Sequence, residues 1–187
     1  MPRILITLTG PSGVGKGYLK KYLKKVFKLI EPPVYTTRKK RKNEDSSDRI
    51  FLTRKEFREK LKNEELILVN EIYGNYYGFH KDTFSKNLNQ ITEIYTDNVK
   101  KFREICPSAL MLGLLPKNLD FLMYRLQKRE KESGERISQR LEGIKEELTK
   151  VWEQKEFFNY IYYVGEDNEH RICNDIENYI KNYYQFL

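Results

Sequence analysis

Residues 9 to 23 read TGPSGVGKGYLKKYL, and the fold turns on how this stretch is read. Gly10, Gly15 and Lys16 have the spacing of a loop whose backbone N–H groups wrap the phosphates of ATP. Such a loop needs a strand before it and a helix after it. Ile4 to Thr9 is a short apolar run ending at glycine, as a buried strand does. Leu19, Tyr22, Leu23, Val26, Phe27 and Ile30 then recur at helical spacing, until Pro32 and Pro33 stop the helix. In that context Gly10, Pro11, Ser12, Gly13, Val14, Gly15, Lys16 and Gly17 form the ATP cradle. The helix N-terminus adds its dipole, and Lys16 neutralises the transferring group. One feature is out of pattern. The loop ordinarily continues from the lysine into a Ser or Thr whose hydroxyl holds Mg²⁺, and here it continues Gly17-Tyr18.

Outward from the loop, strands and helices alternate. Residues 34 to 52 read as extended around a charged, flexible centre, KNEDSSD. Thr53 and Glu56 make a capping box for a helix carrying Phe57 and Leu61. Leu66 to Ile72 is strand-like, and GNYYG at 74 to 78 reads as a tight turn with two aromatics. Ile91 to Tyr95 and Ala109 to Leu115 read as buried strands, with a helix carrying Val99 and Phe102 between them. Asn118 caps a helix through Leu122 and Leu126. The run KREKESGER, 128 to 136, has no apolar side chain and reads as mobile. A long helix with Ile137, Leu141, Ile144 and Leu148 follows, with Trp152 as a packing residue. Ile161 to Val164 is the last strand, and Ile172, Ile176, Tyr179, Ile180 and Tyr183 line one face of the last helix. This alternation implies an α/β fold with a parallel sheet covered on both sides.

The 187 residues suit one compact domain. No apolar run is long enough to span a bilayer and no signal segment is recognisable, so cytoplasm is the default. Cys106 and Cys173 are too few and too far apart for a disulfide framework or zinc site. The net charge of +8 favours anionic partners. Lys20, Lys21, Lys24, Lys25 and Lys28 fall opposite the apolar stripe of the first helix and read as solvated. The block RKKRK, 38 to 42, is different, because adjacent cations repel unless an anion sits among them. It reads as a phosphate grip, with a bare surface or nucleic-acid patch as the alternative. His80 and His170 read as isolated surface or locally bonded residues.

GPSGVGKG, TTRKKR, the capped helix, GNYYG, RLQKR and RLEGIKEEL together resemble the guanylate kinase family in order and spacing over essentially the whole chain. That resemblance implies a P-loop three-layer core (1–33, 88–127 and 142–187), an inserted monophosphate-binding subdomain (34–87) and a mobile lid (128–141). It implies ATP and Mg²⁺ as cofactors and nucleotide substrates as partners. It further implies a monomer or weak homodimer, and disfavours nucleic acid and membrane. By position, Arg38 and Arg41 match the arginines that grip the acceptor's phosphate, and Tyr77 matches the tyrosine that hydrogen-bonds it. Arg125, Arg129 and Arg140 match the arginines that gather over the transferring phosphoryl, although an ordinary solvated or paired helical arginine is the alternative for Arg125 and Arg140. Glu93 matches an acidic residue on the strand beside the loop and could hold Mg²⁺ through water, with the phosphates as direct ligands.

The departures from the family concern the base and the metal. Many members read Gly-Lys-Gly-Thr, so Tyr18 is the abnormal residue, a bulky phenol in place of a compact hydroxyl. Arg49 replaces a tyrosine of the acceptor site and could still bind a phosphate. In the guanine pocket, Val34, Leu68, Phe79 and Tyr95 replace polar readers, unless the register slips and Asp97 takes the place of Tyr95. Strand alternation puts Asn70 on the face of Leu68. The leading expectation is an ATP-dependent nucleoside monophosphate kinase with altered or relaxed base preference. The alternatives are a kinase for another phosphorylated acceptor such as ribose 1,5-bisphosphate, or a non-catalytic phospholigand-binding module.

Overall fold

The computed structural model describes residues 3–40, 48–129 and 134–185. Among them two four-stranded sheets form. The first takes β1 (Leu5–Thr9), β6 (Gln90–Glu93), β7 (Leu110–Pro116) and β8 (Tyr160–Val164) in the order β6-β1-β7-β8, every pair parallel. Strand alternation divides its side chains between two cores. Ile6, Leu8, Leu110, Leu112 and Leu114 face one cluster, packed with Leu19 and Leu23 of α1 (Lys16–Phe27), Leu122 of α4 (Leu119–Arg129), Ile144 of α5 (Gly134–Glu153) and Ile176 of α6 (Glu169–Gln185). Leu5, Met111 and Leu115 face the other, with Phe102 of α3 (Val99–Ile105) and Val151 of α5. Helices therefore lie on both faces of the parallel sheet, and the core has three layers.

The second sheet lies in the chain between α1 and β6. It takes β2 (Val34–Thr36), β3 (Arg49–Phe51), β4 (Leu66–Ile72) and β5 (Asn75–His80) in the order β3-β2-β5-β4. Thr53 and Glu56 form a reciprocal capping box at the start of α2 (Arg54–Lys62). Only Phe57 of its two apolar candidates is buried; Leu61 is exposed, because α2 presents a narrow stripe to the sheet. Trp152 likewise faces solvent instead of packing, with the Lys155 ammonium 5.6 Å from its ring centroid.

Of GNYYG only Gly74 belongs to a turn; Asn75 to Gly78 are strand. The turn is Tyr73-Gly74, both at positive φ, and it sets Ile72 opposite Asn75. A two-residue hairpin with both central residues left-handed matches the strand twist, so Tyr76 and Tyr77 are carried into β5. A bulge interrupts β4, where the register shifts between Ile67 and Asn70 and Leu68 has φ 52. Most of KNEDSSD and part of KREKESGER lie outside the described residues.

Candidate active site

The phosphate loop is shaped by close packing on the parallel sheet. Gly10 leaves β1 at φ +154, and a Cβ there would sit 2.1 Å from the Leu114 carbonyl oxygen, which only glycine avoids. Val14 is fully buried in the core and anchors the middle of the loop. Gly15 is left-handed and begins α1 without a side-chain cap, so the N–H groups of the first turn are directed at the loop. Lys16 Nζ folds back across it, donating to the carbonyls of Gly10 at 2.5 Å and Pro11 at 3.0 Å.

Parallel pairing of Leu8 with Glu93 delivers Glu93 to the same end of the sheet. Its carboxylate is 2.9 Å from Lys20 Nζ and 4.0 Å from Lys16 Nζ. Lys20 also pairs with Glu31, which Lys24 reaches at 3.3 Å. Lys20 is thus no solvated residue: its side chain is only 13 % exposed. The apolar stripe of α1 ends short of this edge, and two acidic groups from neighbouring segments turn it inward. Burial alone would raise the Glu93 carboxyl, but the charges of Lys16 and Lys20 outweigh that and hold it below the usual range. Burial would likewise lower the Lys20 ammonium, and Glu93 and Glu31 outweigh it in the opposite direction.

Tyr18 takes no part in this cluster. Its hydroxyl is 3.0 Å from His170 Nδ1 on α6, an exposed residue, and His80 Nδ1 lies 3.5 Å from its neighbour Asp82, so both histidines are surface or locally bonded residues. Gly17 contributes no side chain. Among the described residues no three His, Cys, Asp or Glu side chains come together as a metal site. The expected water-mediated role of Glu93 thus meets a carboxylate already shared by two lysines. The chemistry of this donor set does not fit a protein-held Mg²⁺.

Two cavities meet at the loop. The larger, about 760 Å³, is lined by Gly13, Gly15, Gly17, Arg49, Tyr124 and Arg125, among others. The smaller, about 290 Å³, opens beside Ile72, Tyr77, Ile94, Tyr95, Ile144 and Glu147. Ser12, Lys16 and Glu93 line both. Arg49 therefore faces the larger cavity, not the one with Tyr77. Arg125 lies with its guanidinium carbon 5.1 Å from the Phe121 ring centroid. The rings of Tyr77 and Tyr95 are 5.9 Å apart, and burial first, then Tyr77 and Glu93, push the Tyr95 hydroxyl above its usual range.

The other expected pocket residues are elsewhere. Leu68 and Phe79 are buried in the second core, Phe79 with its ring 5.1 Å from Phe84. The bulge in β4 breaks the alternation that would put Leu68 and Asn70 on one pocket-facing side, and it turns Leu68 into the core. Asn70 donates to the Leu68 carbonyl, and Val34 packs at the margin of the same core. Asp97 sits on a 3-10 turn, ion-paired to Lys150 at 2.8 Å. These five border neither cavity. Arg38 also borders neither; its guanidinium lies over Phe51 at 5.6 Å and donates to the Lys39 carbonyl. Arg41 lies outside the described residues; Arg129 ends α4 and Arg140 falls in the early turns of α5.

Glu147 is a site residue the sequence reading missed. It accepts a hydrogen bond from the Ser12 backbone, and burial pushes its carboxyl up despite Lys16 nearby. Nothing in KEELTK singles it out. Lys20 did have a signal, since it stands one helical turn after Lys16 and so on the same face.

A phosphate loop opening on two cavities through one lysine defines a phosphotransferase of the nucleoside monophosphate kinase class. The guanylate kinase sequence profile matches residues 2–183. A guanylate kinase of Nitrosospira multiformis is 35 % identical over 166 residues, covering 86 % of this chain and 77 % of that protein. The crystal structure of guanylate kinase from Anaplasma phagocytophilum superposes with a TM-score of 0.69 at 21 % identity, covering 97 % of this chain and 86 % of that one. A shikimate kinase of Bacteroides thetaiotaomicron shares the fold at a TM-score of 0.50 and 13 % identity, over 95 % of this chain and 98 % of its own. The chain belongs to the guanylate kinase family. Among the described residues no helix is long and apolar enough to cross a membrane.

Proposed function

We propose that the protein transfers the γ-phosphoryl group of ATP to a nucleoside monophosphate with a relaxed base preference. The observation that carries this is the shared lining of the two cavities. A donor on the helix N-terminus in the larger and an acceptor beside Tyr77 in the smaller would face each other across Lys16. An oxygen of the acceptor phosphate attacks the γ-phosphorus; the bond to the β-phosphate bridging oxygen breaks, and ADP leaves. Such a transfer needs alignment and positive charge more than a base. Lys16 and Arg125, which line the larger cavity with Arg49, would supply charge on the donor side. Arg38, and by position Arg41, Arg129 and Arg140, are the further candidates.

The relaxed preference follows from what surrounds the smaller cavity. Ile72, Ile94 and Ile144 with Tyr77 and Tyr95 can pack a ring. Of the polar groups there, Glu147 bonds to the loop and the Thr96 carbonyl accepts from Gln154 at 3.0 Å. A buried base edge without partners loses about 1–3 kcal/mol per group, so no base gains a large advantage. The test is a panel of GMP, AMP, CMP and UMP with ATP. The expected kcat/KM values lie within about tenfold, or ~1.4 kcal/mol. A GMP preference of about a thousandfold, ~4 kcal/mol, would refute relaxed reading of the base.

A further inference from the structure

The lysines of α1 at positions 16, 20 and 24 recur every fourth residue and fall on one helical face. Two glutamates from other segments interleave with them, giving an unbroken ladder of alternating charge: Lys16, Glu93, Lys20, Glu31, Lys24. Its centre is sheltered, with Lys20 13 % and Glu31 10 % exposed, while Glu93 at 37 % is open, together with Lys16, to both cavities. One oxygen of Glu93, Oε1, is held by Lys20, and the other, Oε2, faces Lys16. Lys20 cannot withdraw freely, because that would leave Glu31 nearly buried with only the more exposed Lys24 as its counter-charge. A divalent cation ligated by Glu93 would have to sit against two ammonium groups. Independently, the Tyr18 hydroxyl, which follows the loop where a compact hydroxyl is ordinarily found, is committed to His170.

We propose that Lys20 is a positioning residue: it locks Glu93 against Lys16 and closes that carboxylate to the metal ion a nucleotide carries. The nucleotide's cation is then held by phosphate and water, and protein charge at the transfer point comes from lysine. This rests on reading the phosphate loop as the nucleotide site.

The experiment measures Mn²⁺ binding by electron paramagnetic resonance in the complex with a non-hydrolysable ATP analogue. Binding of the analogue itself, without metal, is followed by calorimetry in the same variants. Glu93→Gln in the otherwise native chain is expected to leave Mn²⁺ affinity within about twofold, because the carboxylate is not a ligand. Removing Lys20 together with its buried partner, as Lys20→Met with Glu31→Gln, avoids an orphaned charge and is expected to tighten Mn²⁺ by about tenfold. Adding Glu93→Gln to that pair should abolish the gain, and Lys20→Arg should behave as the native protein. A loss of about tenfold in Mn²⁺ affinity from Glu93→Gln alone would overturn the proposal, as would an unchanged affinity in the Lys20, Glu31 pair. Failure of the native chain to bind the analogue at all would instead overturn the nucleotide-site reading beneath it.

Discussion

Replacing Phe79 by serine, a small hydroxyl in place of a buried ring, should cost the protein stability without giving it a base reader. Phe79 is 5 % exposed and packs on Phe84, whose ring meets Phe102 edge-on at 5.0 Å. Truncating a buried phenylalanine costs about 3–5 kcal/mol, and losing one aromatic pair adds about 0.5–1.5. A hydroxyl left there without a partner adds about 1–3 more, so ~5 kcal/mol is a conservative expectation. That is a large share of the roughly 5–15 kcal/mol that holds a domain of this kind together. At about 2–4 °C per kcal/mol for a chain of this size, Phe79→Ser should lower the melting temperature by ~10–20 °C. Urea unfolding with an unchanged slope would assign the loss to native packing. The nucleotide panel measured well below the melting point should keep its flat profile. A variant stable to within about 1 kcal/mol that also gained a GMP preference would refute the placement of Phe79 in the core.

Two further outcomes are expected. Arg38→Ala should weaken acceptor binding about 10- to 100-fold while sparing ATP, since a charge-assisted hydrogen bond is worth about 1.5–3 kcal/mol; calorimetry with each nucleotide separates that result from loss of the Phe51 contact alone, which would leave acceptor affinity unchanged. Glu147 has a carboxyl raised chiefly by burial, so the unfolded chain ionises first as pH rises and the native state loses stability above the ordinary carboxylate range of about 4.3. Glu147→Gln should therefore melt higher than the native protein at pH 8, with the difference shrinking towards pH 4; a difference independent of pH would refute the assignment.

The parallel core was legible because its signals are local and agree. A period-two apolar run, three glycines at fixed offsets and a stripe at helical spacing allow few arrangements, and the strands were placed within a residue or two. The second sheet was less so. Its β4 strand was visible, but β5 was read as a turn, and the bulge in β4 depends on how Leu68 packs against β5 and the parallel sheet, which no spacing in LILVNEI encodes. The same limit applies to charge. Lys20 and Lys24 look alike along α1, and only Glu31 and Glu93, arriving from elsewhere in the chain, distinguish the buried lysine from its half-exposed neighbour. Trp152 was misread for the converse reason, since apolar character alone does not say that another element will cover it.

The phosphate site and the base site respond differently to drift because their physics differs. A phosphate is gripped by backbone N–H groups, a helix terminus and lysine, and much of that grip is set by glycine conformation and the sheet. Gly10 cannot change without colliding with Leu114, so that half of the site is tied to the fold itself. A base edge is read by individual side chains, each replaceable alone. When such a side chain becomes apolar next to a hydrophobic core, the favourable outcome is burial, at roughly 1.5–3 kcal/mol for a Leu or Phe. Leu68 and Phe79 are buried in this way, and the stability they contribute opposes a polar residue at either position. Leu68→Glu should consequently behave as a charge placed in the core, destabilising the protein before it could recruit guanine. A stable Leu68→Glu variant with a gain in GMP preference of about tenfold or more would show that the bulge can turn this position back to the cavity.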